Sequence, residues 1–281
     1  MNGNARRGDN TELKILENTP SWEWPEDAGE TILGILHSDQ AEESDRLLAV
    51  GLAGDFVVVN DELIDALLSI LCNGGESDEL RGRAAISLGP ALEQADIEEF
   101  EDPDDVPISE QTFRRIQKTL QSLYVDADVP KTVRRRILEA SVRAPQDWHP
   151  NAVRAAYSSG NDDWRLTAVF CMQYVRGFDD QILESLGSKN PDVHYHAVCA
   201  AGNWQIDAAW PHIAALLTSR NTGKPLLIAA IEAAASIRPR KAMDILCNLM
   251  HSKDEDIAEA VSLAMAIAEK PWDDEDGESL R

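Results

Sequence analysis

What the sequence lacks narrows its class first. No segment approaches the ~20 consecutive apolar residues that a helix needs to cross a bilayer. The opening residues, MNGNARRGDNTELKILENTP, hold no apolar stretch of the signal-peptide kind, so the expected location is the cytoplasm. Basic charge is in short supply: 26 Lys and Arg stand against 50 Asp and Glu, a net charge of −24. That balance argues against nucleic acid or an anionic membrane as partners of the molecule as a whole and favours cationic ones. Cysteines are few and scattered. Cys72, Cys171, Cys199 and Cys247 lie far apart, which excludes a zinc ribbon or a disulfide framework and predicts reduced, buried thiols. No G-x-S-x-G, P-loop or G-x-G-x-x-G motif occurs. Alternating β-branched residues are nearly absent as well; DFVVVN (55–60) is the one short strand-like run, and the fold class is therefore all-α.

What is present is a repeat. An acidic or polar lead-in, an apolar residue, often Arg, and then a small residue recur in SDRLLAVGLAGD (44–55), DELRGRAAISLGP (78–90), DWRLTAVFCMQYVRG (163–177) and PDVHYHAVCAAGN (191–203). Weaker copies are KTVRRRILEASV (131–142), KPLLIAAIEAAASI (224–237) and DEDIAEAVSLAMAIA (254–268). Alignment puts Ala49, Ala84, Ile137, Ala168, Ala197, Ala230 and Val261 at one equivalent position, spaced by 35, 53, 31, 29, 33 and 31 residues. Each copy follows another amphipathic segment, so the pattern predicts about seven helical hairpins over residues 26–269.

This pattern resembles the HEAT-repeat family, in particular its short bacterial-type repeats. The residues that carry the resemblance are the lead-in acids, Arg46, Arg81, Arg134 and Arg165 in one shared slot, and the closing Gly54, Gly89 and Gly202. The resemblance implies a right-handed α-solenoid whose second helices line a concave face. No single hairpin could bury its apolar stripe without neighbours, which is the physical sense of such a stack. His194, Leu227 and Ala258 replace the Arg in the later copies, so a continuous ladder of Arg–acid contacts is not expected there.

The long interval contains EQADIEEFEDPDDVPISE (93–110), with nine acids and two prolines, and reads as an inserted, solvated loop. Residues 1–25 read as a flexible leader and 270–281 as an acidic flexible tail.

Chemistry is hard to find. His194 and His196 sit two apart on a helix and point about 200° from one another, so they cannot share an ion. His196 and Cys199 make an incomplete zinc set. HEAT-like iron hydroxylases carry His-Glu dipeptides, and none of the six histidines here is followed by Glu. HEAT-like DNA glycosylases use aromatics and an acid in a basic groove; Trp148, Trp164, Trp204 and Asp207 offer the residue types within a chain of the wrong charge. The expectation is a protein that is not an enzyme, with no cofactor and no metal.

The outward faces of the second helices are more informative. Positions two before, two after and six after the aligned residue face away from it at 100° per residue. They are Arg135, Glu139 and Arg143 in the third copy, Leu166, Phe170 and Tyr174 in the fourth, and Tyr195, Cys199 and Asn203 in the fifth. Residues 114–154 hold nine Lys or Arg against four acids, and residues 148–210 hold four of seven Trp and three of four Tyr. A cationic ridge beside an aromatic one suits an extended peptide. The same aromatics could instead fill space between helices, with the basic cluster paired to the acidic 93–110 segment lying over Arg134, Arg135, Arg136 and Arg143. The expected function is a scaffold or adaptor binding a protein or peptide through Arg135, Arg143, Phe170, Tyr174 and Tyr195. The alternative is an acidic regulator that occupies a cationic or nucleic-acid-binding site on its partner.

Overall fold

The structure, a computed structural model, describes residues 12–38, 40–98, 100 and 106–269. Among the described residues every regular element is helical. A helix at 12–17 (α1) precedes α2 (Ala28–Leu36), α3 (Glu43–Leu52), α4 (Asp61–Cys72), α5 (Asp78–Ser87), α6 (Gly89–Glu98), α7 (Glu110–Val125) and α8 (Lys131–Ser141). Then follow α9 (His149–Tyr157), α10 (Asp162–Cys171), α11 (Asp179–Ser185), α12 (Pro191–Asn203), α13 (Trp210–Thr218), α14 (Lys224–Ile237), α15 (Pro239–Leu246) and α16 (Glu255–Glu269). The chain divides into two compact units, Met1–His149 and Pro150–Arg281. Each is an all-α stack of helical hairpins, the solenoid class expected from the repeat.

The local signals act as capping chemistry predicts. Asn60, Ser77, Ser109, Asn161 and Asn190 each accept a backbone N–H of the first turn through the side chain. DFVVVN makes no strand: the Asp55 carboxylate accepts the Val57 N–H at 3.0 Å, closing a turn that delivers Asn60 to cap α4.

The register of the repeat is visible in burial. Ala49, Ala84, Ile137, Ala168, Ala197, Ala230 and Val261 are all 0% exposed. They lie on the second helices α3, α5, α8, α10, α12, α14 and α16, which pack side by side within each unit: α3 on α5 and α5 on α8 in one, and α10 through α16 in turn in the other. Small anchors allow that close approach. At Gly54 an added Cβ would lie 2.4 Å from the Ser87 carbonyl oxygen, and at Gly202 it would lie 2.8 Å from Ala233 Cα.

Three expectations need correction. Residues 93–98 are not loop but the second half of α6, because Ala91, Leu92 and Ala95 recur at helical spacing and are buried beside α7 and α8. Val106 and Ile108 are buried too, and the Ser109 N–H reaches Asp61 at 3.0 Å; residues 99 and 101–105 lie outside the described residues. The N-terminal stretch is packed from residue 12 onward. Leu13 and Leu16 are buried, and the Trp24 indole donates to the carbonyls of Leu16 (3.0 Å) and Thr19 (2.9 Å). Residues 1–11 and 270–281 lie outside the described residues. Finally, Cys72 and Cys247 are exposed rather than buried, since each stands at a helix C-terminal end where the apolar stripe runs out; Cys171 is buried and Cys199 half-buried.

Candidate functional site

The shared Arg slot turns out to be structural. Arg46 on α3 makes two bonds to Glu76 (2.8 and 2.6 Å), and Arg165 on α10 bonds Glu184 at 2.6 Å and the Tyr157 hydroxyl at 3.0 Å. In both cases the arginine reaches the following hairpin, and its hydrogen bond holds the carboxyl partner below the usual carboxylate range. Arg81 instead donates to the Leu71 carbonyl at 2.9 Å. Where His194 replaces Arg, its Nε2 meets Nε2 of His212 on α13 at 2.7 Å, again joining one hairpin to the next. Burial lowers the pKa of both imidazoles, so one neutral ring donates to the other at neutral pH. Leu227 continues neither pattern; Lys224 on the same helix bridges to Asp254 (2.7 Å) and Asp256 (2.5 Å).

The two histidines of the H-x-H pair therefore serve different neighbours. His196 accepts from Gln173 Nε2 at 3.0 Å and meets the Phe170 ring edge-on at 5.3 Å. Among the described residues no three His, Cys, Asp or Glu side chains gather around one point, and no helix is long and apolar enough to cross a membrane.

The sequence-derived contacts fall into separate sets, one in each unit. In the first, Arg135 lies 3.9 Å from Glu139, Arg136 bonds Glu139 at 2.6 Å, and Arg143 pairs with Glu93 of α6. Arg136 and Arg143 lie where a neighbouring helix lacks a side chain. A Cβ at Gly82 would stand 3.2 Å from Arg136 Cγ, and one at Gly89 would stand 2.8 Å from Arg143 Cδ. The same pattern occurs at Gly51, where a Cβ would stand 2.8 Å from Arg83 Nη2. Glu93 is thus one acid of the 93–110 segment that does cover the basic region, and it does so from a helix.

In the second unit, Phe170, Tyr174 and Tyr195 come together. The Phe170 and Tyr174 rings are 5.6 Å apart, and His196 links Phe170 to Tyr195, whose ring is 5.3 Å from the imidazole. Tyr195 is 37% exposed and shares a hydrogen bond with Cys199, whose thiol burial pushes up to about 11. Asn203 anchors the C-terminal end of α12 on the Gln173 carbonyl at 3.2 Å. The face continues beyond these residues: Glu232 on α14 is exposed, and Leu263 and Ile267 on α16 are 60% and 55% exposed. The positional rule that picks Tyr195 also picks Glu232, Leu263 and Ile267 when it is extended to the last two copies. Trp204, with its indole on the Met172 carbonyl (2.6 Å) and Arg176 over its ring (4.8 Å), had no positional signal, because it follows the helix end rather than lying on it.

No family model matches the chain, and no curated protein matches it. Among solved structures, the chain is similar to YibA of E. coli (16% identity, TM-score 0.46, covering 95% of this chain and 94% of that one). It is also similar to human deoxyhypusine hydroxylase in complex with glycerol (15% identity, TM-score 0.40, covering 94% and 96%). A third is a designed armadillo repeat protein in complex with the peptide (KR)4 (16% identity, TM-score 0.27, covering 94% and 88%).

Proposed function

We propose that the chain is a non-catalytic, HEAT-like repeat scaffold of the cytoplasm that binds a protein or peptide partner on the outward face of its second helices. The carrying observation is the aromatic set Phe170, Tyr174 and Tyr195, assembled from α10, the turn after it and α12, and left partly open to solvent while the aligned anchors beneath are fully buried. Aromatic residues on a rigid helical layer supply large contact area at little entropic cost, as interface centres require. In the first unit, Arg135 and Arg143 would contribute separately, by exchanging Glu139 and Glu93 for carboxylates of a partner.

The test is to select binders from a displayed random-peptide library with the whole chain and measure their affinity by fluorescence polarisation. Phe170→Ala with Tyr195→Ala is expected to weaken the selected peptides by roughly 30-fold, the loss of one hot spot. Unchanged affinity in a variant of unchanged helicity overturns the reading. The net charge of −24 favours a second one, in which acidic residues occupy a cationic site on the partner. That reading predicts binding that falls steeply with salt and survives the aromatic double substitution.

A further inference from the structure

At the start of the chain the second-helix face does something different again. A pocket of about 600 Å³ opens there, walled by Leu52, Phe56, Ile86 and Pro90 and, from the N-terminal segment, by Leu16 and Trp24. Phe56 is 58% exposed, so part of that wall is not core. Gly51 and Gly54 leave the floor without side chains, and the Arg83 guanidinium lies on it. A Cβ at Gly51 would stand 2.8 Å from Nη2, 3.1 Å from Nε and 3.3 Å from Cζ.

Among the described residues Arg83 is one of several arginines without a carboxylate partner, and what sets it apart is its place on the floor of this pocket. In a chain with 50 acids, Arg46, Arg115, Arg136, Arg143, Arg165 and Arg238 each hold a carboxylate. Among the described residues none pairs with Arg83, which is exposed. Glu17 and Asp55 line the same pocket without reaching it as ion-pair partners, and the Asp55 carboxylate is already engaged by the Val57 N–H.

We propose that this pocket binds a monocarboxylate with an apolar body, its carboxylate on Arg83 and its body against Leu52, Phe56 and Ile86. A single fixed cation beside an apolar wall matches such a ligand in charge and surface. Glu17 and Asp55 add two negative charges to the same lining, which weighs more heavily against phosphates and dicarboxylates than against a single carboxylate. The site belongs to the first unit and does not depend on the aromatic face of the second. Its volume admits either a free acid or a two-residue stretch of peptide, and the test separates them.

The intact, 15N-labelled chain is titrated with four probes: 3-phenylpropionate, 3-phenylpropionamide, acetyl-Glu-Phe-amide and acetyl-Gln-Phe-amide. Shifts of the Gly51 and Gly54 amides and of the Trp24 indole N–H report on the pocket. Both carboxylates, or one of them, are expected to move these signals while the matching amide does not, and the tighter binder of the two names the source. Arg83→Gln is expected to weaken binding roughly 10- to 100-fold, the value of a charge-assisted hydrogen bond. Gly51→Ala should weaken it too, because the new methyl group takes the guanidinium's place. Inorganic phosphate should not compete. The proposal is overturned if no probe shifts these signals at millimolar concentration, if acid and amide bind alike, or if Arg83→Gln, with an otherwise native spectrum, binds as well as the parent.

Discussion

In the unit that carries α1 to α8, the outward face of the second helices is built from glycines with arginines laid upon them, whereas from α10 to α16 the equivalent positions carry Phe170, Tyr195 and Leu263. Each face stands on its own row of fully buried anchors, Ala49, Ala84 and Ile137 in the first unit and Ala168, Ala197, Ala230 and Val261 in the second. The difference shows which part of a repeat is constrained. Close helix approach dictates the small or apolar anchor, and positions two residues away are left for chemistry. In the first unit that freedom goes to cations, of which Arg136 and Arg143 take carboxylates from the chain itself. In the second it goes to rings with an open side.

The largest test of this contrast is acid. His149 is fully buried at the end of the first unit; its Nδ1 accepts the Gln146 N–H at 2.8 Å, which leaves Nε2–H to donate to the Ser141 hydroxyl at 3.0 Å. Burial drives its pKa from 6.5 down to about 4. The unfolded chain therefore takes up a proton below about pH 6.5 that the folded chain refuses until about pH 4. The associated stability is fully present above that window and is lost on descending through it, to a total of about 3 kcal/mol. Urea midpoints at pH 7 and pH 4.5, compared with those of His149→Gln, should show the substitution flattening this acid slope.

Next in size are the glycines. Gly54→Ala and Gly202→Ala push a methyl group into backbone or Ala233 and should each cost about 2 kcal/mol in thermal or urea unfolding, one in each unit. Gly89→Ala crowds the Arg143 side chain, with Ala140 Cα at an ordinary 3.7 Å, and should cost less than about 1 kcal/mol while freeing Glu93. Equal costs for Gly89 and Gly54 would erase the distinction between an arginine notch and a helix–helix contact. The smallest effect belongs to Tyr195→Ala. Its loss should change stability by about 1 kcal/mol or less, since the ring is partly exposed, and its main consequence should appear in partner affinity.

How much of this was legible beforehand follows the range of the interactions. The anchors and helix pairs could be read because each copy states them within a dozen residues and then repeats them. Helix α6 escaped because the acids of 93–98 dominate its composition, although Ala91, Leu92 and Ala95 carry a helical stripe. The N-terminal segment escaped because Leu13 and Leu16 make too short an apolar pattern to register, and the Trp24 indole that closes it is a non-periodic contact. Phe170 and Tyr195 could be projected from helix register, since they lie on successive second helices, whereas Tyr174 stands in the turn after α10 and still meets Phe170. Carboxylates paired with Arg143 and Arg46 lie 50 and 30 residues away in sequence, and the His194–His212 contact crosses 18. Pattern cannot choose among fifty acids, and only the fold brings the right one near. Arg83 and Arg81 show the converse: two arginines two residues apart, one laid in an open pocket and the other buried on the Leu71 carbonyl, a difference that no sequence pattern marks.

The imidazole pair between α12 and α13 has a mechanical consequence. The stitches made by Arg46 with Glu76 and by Arg165 with Glu184 are bonds between opposite charges, which added electrolyte weakens. The link through His194 and His212 is between two uncharged rings at neutral pH and has no such dependence. Rising salt should therefore make the stack compliant unevenly: the joints after the first and fourth hairpins loosen, while the joint after the fifth keeps its stiffness.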